Sequence, residues 1–82
     1  MSERIATQKR LIGEERALID DLRRDIQLMQ DELAYNVQNN RKRTLDLMIS
    51  IASTKSQINM REREVLIYQR SIVRIREEQA DA

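Results

Sequence analysis

Ile5, Ile12, Ile19, Ile26 and Leu33 recur every seven residues, and Leu22 and Met29 fall three places after members of that column. Apolar residues at two positions of a seven-residue repeat abcdefg are how two helices pack along a common seam. The column takes position a, and Leu22 and Met29 take d. The second half has its own seam. Ile51, Ile58, Val65 and Ile72 form the a column, while Leu47, Tyr68 and Ile75 share the d column with Thr54 and Arg61. Between the seams lies YNVQNNRKRT, residues 35–44, in which Val37 is the one aliphatic side chain.

This pattern predicts an all-α chain, a single unit over 1–82. One helix spans about 2–37, a turn about 38–40 and a second helix about 41–79, with a short polar C-terminal tail. Ser2 suits the cap of the first helix, with Glu3 favourably placed against its dipole. Asn39 and Asn40 suit both jobs at the turn: ending one helix in the left-handed conformation and capping the next. Gly13, one place past the seam, weakens its helix by about 1 kcal/mol relative to Ala.

The seams match if the chain folds back antiparallel, where a residues face d residues. Ile5 then meets Ile75, Ile12 meets Tyr68, Leu22 meets Ile58, Met29 meets Ile51 and Leu33 meets Leu47. Registers that keep the match differ by one heptad, and this one puts the fold point at Asn40, inside the stretch singled out by its polarity. The expected fold is an antiparallel two-helix coiled-coil hairpin that assembles into a helical bundle. The rival is one continuous long helix in a coiled coil, because the Ile5–Leu33 column runs on through Asn40, Leu47, Thr54, Arg61 and Tyr68 without a break. At 1.5 Å per residue the straight helix is roughly 120 Å long and the hairpin roughly 57 Å.

A hairpin leaves apolar residues over. Leu11 and Leu18 widen the stripe on the first helix. On the second, Leu45, Met48, Ala52, Leu66 and Val73 lie beside the seam, with Ile49, Met60 and Ile67 further round. A helix apolar on a broad face needs several neighbours. The expectation is therefore self-association, most simply two hairpins in a four-helix bundle, or docking onto another protein.

Composition agrees with long helices. The 82 residues contain no Pro, one Gly, no Cys, no His and two aromatics, both Tyr, and 35% are charged. The net charge of +1 calls for no acidic partner. It is unevenly spread: residues 1–37 hold six Lys/Arg against eight Asp/Glu, and residues 38–82 hold nine against six. In a hairpin, Asp20, Asp21 and Asp25 are expected near Lys55, Arg61 and Arg63, Arg16 near Glu62 and Glu64, and Lys9 and Arg10 near Arg70. Glu15 and Arg61 stand out as opposite charges at seam positions one layer apart.

Chemistry has little to work with. The sequence lacks His and Cys, has no glycine-rich phosphate loop, and its adjacent acids point about 100° apart on a helix. No catalytic, cofactor-binding or metal site is expected, and no small-molecule substrate. Arg41, Lys42 and Arg43, with Arg70, Arg74 and Arg76, form two basic clusters that suit phosphate contacts. Without interleaved aromatics or a helix-turn-helix signature, nucleic-acid binding is the second reading. A helical inhibitor of a partner protein is a third. The leading expectation is a non-enzymatic structural or adaptor protein, of the kind found among secretion chaperones, scaffolds and phage structural components. The N-terminus carries charges and no apolar core, so no signal peptide is expected. Nor is a membrane span, since no charge-free run, residues 47–54 included, exceeds eight residues. A cytoplasmic place, or one within a soluble assembly, follows as the expectation.

Overall fold

The computed structural model describes residues 3–81. The chain is an all-α hairpin of two helices, α1 (Glu3–Asn36) and α2 (Arg41–Asp81), packed against each other along their length. Its long dimension is 65 Å, about half that of a straight helix of the whole chain. Ser2, read as the cap of the first helix, lies outside the described residues. The tail expected after residue 79 continues as helix to Asp81, because Gln79 and Ala80 are good helix formers with no breaker among them.

The core is the seam. Ile5, Ile12, Ile19 and Ile26 of α1, and Leu47, Ile51, Ile58, Val65, Ile72 and Ile75 of α2, are buried. Leu22, Met29, Leu33 and Tyr68 are half-buried against them. The polar seam positions Gln8, Glu15, Asn36, Thr44, Thr54 and Arg61 are half-buried as well. Where such a residue sits in the seam its polar atoms must be satisfied. Thr54 turns its hydroxyl back onto the Ser50 carbonyl at 2.8 Å. Among the described residues no buried side-chain nitrogen or oxygen lacks a partner. Only one seam is available to two helices, so among the described residues no side chain is wholly enclosed, and even Leu47 keeps 2% exposure.

The turn works without the left-handed residue expected of Asn39 or Asn40: no described residue has a positive φ. Instead the chain closes α1 with ordinary dihedrals and many donors on one acceptor. The Asn36 carbonyl accepts from the backbone N–H of Asn39 (3.0 Å) and of Asn40 (2.9 Å), and from the Thr44 hydroxyl (3.1 Å). Its side-chain amide donates back to the Glu32 carbonyl at 2.7 Å. Asn40 then caps α2, its Oδ1 accepting from the Arg43 N–H at 3.0 Å. Across the turn Arg43 donates through Nε (2.8 Å) and Nη2 (2.6 Å) to the same Glu32 oxygen. At the open end Arg4 of α1 holds Glu78 of α2 at 3.1 Å.

Two substitutions of opposite sign check this reading by chemical denaturation at matched protein concentration. Asn40→Ala removes the cap and should cost about 1 kcal/mol. Gly13 is exposed, and a Cβ placed there meets nothing within 4 Å, so no close approach uses it. Gly13→Ala should therefore stabilise the hairpin by about 1 kcal/mol.

Candidate interaction surface

With the seam facing inward, the other heptad positions are sorted by rotation about each axis. In an antiparallel pair, e positions of both helices lie along one flank and g positions along the other. Arg23 to Glu62 (2.9 Å) is an e–e pair. Arg4 to Glu78 and Arg43 to Glu32 are g–g pairs. Positions b, c and f form the outer side.

These flanks decide which charges meet, and they correct the broader expectation. Asp20 and Asp21 sit at b and c, too far round to cross, and pair instead with Arg23 (4.0 Å) and Arg24 (2.8 Å) of their own helix. Asp25 is a g residue whose opposite g positions are Ser50 and Gln57, so Lys55, Arg61 and Arg63 are not its partners. Arg16 lies in the same shallow concavity as Glu62, but Glu62 is taken by Arg23. Lys9 neighbours Arg76 rather than Arg70, and Arg10 pairs with Glu14 at 2.8 Å.

Glu15 and Arg61 do pair across the seam, at 3.2 Å, with side chains 19% and 37% exposed. Both oxygens of Glu15 lie within reach of one Arg61 nitrogen. The pair is far enough from bulk water to be costly to break and open enough not to be a sealed core charge.

The apolar residues beyond the seam fall on different sides. Leu45, Ala52, Leu66 and Val73 occupy b of α2 and Met48 occupies e, so these five share one flank and the adjoining outer side. Open concavities along that flank are lined by Leu66 with Arg16 and Arg23, by Val73 with Gly13, and by Met48 and Ala52 with Gln30. Leu11 and Leu18 are g residues of α1 and face the opposite flank, so they do not join that surface. Leu11 is half-buried and Leu18 is 42% exposed. Met60 and Ile67, at c of α2, belong to that same side and remain exposed, as does Ile49 at f. Leu45, Met48, Ile49, Met60, Leu66, Ile67 and Val73 of α2 are each at least half exposed.

The basic clusters are divided too. Arg43 is committed to Glu32 and closes the turn, whereas Arg41 and Lys42 are exposed. Arg70 and Arg74 line one small hollow with Ile67 and Ser71, and Arg76 lies on the other flank beside Lys9 and Arg16. The six residues thus fall into four groups, Arg41 with Lys42, Arg43 on Glu32, Arg70 with Arg74, and Arg76 alone, a geometry poorly suited to following one phosphate backbone.

Among the described residues no cluster of potential metal ligands occurs, and no helix is long and apolar enough to cross a membrane. Compared with protein-family models, curated proteins and solved structures, the chain matches none of them.

The sign of the seam charge pair is open to measurement. Arg61→Leu leaves Glu15 half-buried without a partner and should lower stability by about 1–3 kcal/mol. Replacing both, Glu15→Leu with Arg61→Leu, should restore wild-type stability or exceed it. Denaturation midpoints of the three chains give the answer.

Proposed function

We propose that this protein is a non-enzymatic structural or adaptor protein that works through coiled-coil self-association and protein–protein contacts, as a component, scaffold or chaperone of a larger assembly. The observation that carries the reading is the part of α2 outside the seam, where seven large apolar side chains, spread from the flank of Met48 round to the side of Met60 and Ile67, stand half exposed or more. A hairpin interior uses one stripe of each helix, and α2 has apolar residues well beyond that stripe. Scattered single exposed aliphatics are ordinary, but a concentration on one helix is the mark of a surface that is covered in use.

The magnitudes favour a partner that covers most of that face. Each half-exposed side chain newly buried contributes roughly 1 kcal/mol. Association costs on the order of 4–15 kcal/mol in lost translational and rotational freedom. One or two contacts do not offset that cost, whereas a face contributed by two copies does. The simplest assembly is two hairpins making a four-helix unit, and the same face serves another protein if one replaces the second copy.

Sedimentation or light scattering tests the proposal. A particle larger than the single chain mass of 9.8 kDa is expected at micromolar concentration. Leu66→Glu combined with Val73→Glu should reduce it to one chain with helicity retained. A wild-type chain that stays single and well folded at high concentration rejects self-association.

A further inference from the structure

We infer that the second copy docks on α2 antiparallel to it, with Asn59 on the two-fold axis; this rests on the self-association proposed above and names its geometry. The b column of α2 reads Leu45, Ala52, Asn59, Leu66, Val73, and all five residues are exposed in the hairpin. One polar residue stands at its centre with two apolar residues on each side. Pairing this column with its own antiparallel copy about Asn59 puts Leu45 on Val73 and Ala52 on Leu66, each twice by symmetry, and Asn59 on Asn59. An amide facing its own copy can donate and accept at once, whereas an amide facing an apolar side chain loses its water without replacement.

Charge selects the same register. Facing e positions then bring Lys55 nearest to Glu62 of the second copy. Among the described residues Lys55 has no ion-pair partner within its own chain, and Glu62 uses Oε1 for Arg23 and keeps Oε2 free. Facing f positions bring Lys42 nearest to Glu77. Arg41 and Arg76 come together at the ends, where Glu77 lies beside them and solvent screens the contact. Sliding one copy by a heptad in either direction sets Asn59 against Ala52 or Leu66. It also centres Lys55 on Lys55 or Glu62 on Glu62. Of the three registers, one alone matches both polarity and charge. The contact is isologous, so it closes at two copies and does not propagate into a fibre.

The sequence contains no cysteine, so single Cys variants report their own neighbours. The measurement is reaction of Asn59→Cys, Leu45→Cys and Val73→Cys with a short bismaleimide at low micromolar protein. Asn59→Cys should link to itself. Leu45→Cys and Val73→Cys should not link alone but should give a mixed dimer when combined. Self-linking of Leu45→Cys or Val73→Cys means a parallel or shifted pair and overturns the inference. So does the absence of any link when the wild-type chain sediments as an oligomer, which would place the interface on another face and leave the self-association reading standing. A wild-type chain that sediments as a monomer removes both.

Discussion

The heptad seam is the constraint on which the rest of the molecule depends. Its isoleucines, leucines and valine sit where an antiparallel helix presents matching gaps, and burial of these aliphatic side chains drives the pairing. Once Ile5 is set against Ile75 and Leu33 against Leu47, rotation of both helices is fixed. Fixed rotation in turn determines which residues become flanks and which become outer surface. The e–e and g–g ion pairs, the turn and the exposed side of α2 are consequences of that one register. Exposed pairs such as Arg4 with Glu78 add tenths of a kcal/mol and confirm orientation rather than supply stability.

Much of this was legible in the sequence because a period of seven carries rotational information. The two-helix hairpin follows from the columns and from the loss of apolar residues over 35–44. The charge contacts were less legible, because proximity along the axis is insufficient for them. Asp20 and Asp21 stand level with basic residues of α2 but point away from them, and Arg23, one e position in the first helix, takes Glu62 instead. Heptad letters assigned to every residue, rather than to a and d alone, supply that signal. The turn was half legible. Asn40 caps the second helix as its chemistry suggests, but the first helix ends by sharing the Asn36 carbonyl among three donors, a geometry that no residue type announces. Arg43 is the plainest case of a charge with two readings: within a basic run it resembles a phosphate contact, yet in space it is a clasp on Glu32.

The two helices are unequal in what they leave over. Away from its seam, α1 is predominantly polar, with Tyr35, Leu28 and Leu18 as separate exposures. By contrast, α2 has apolar residues around much of its circumference. A hairpin built from such a pair has one predominantly polar arm and one arm with a broad apolar exterior. The proposed scaffold role uses this division: α1 keeps the unit in water and completes the seam, while α2 makes the outward contact.

The Arg4–Glu78 bridge places the first turn of one helix beside the last turns of the other, at the pole opposite the turn. Tension applied through the two chain ends therefore acts across the seam and not along it. Layers separate singly, starting with Ile5 and Ile75 and finishing at Leu33 and Leu47, so the load never engages the whole row at once. A pull of that kind unzips the hairpin at low force, whereas tension along the rod axis, applied to opposite poles of the two helices, must shear every layer together.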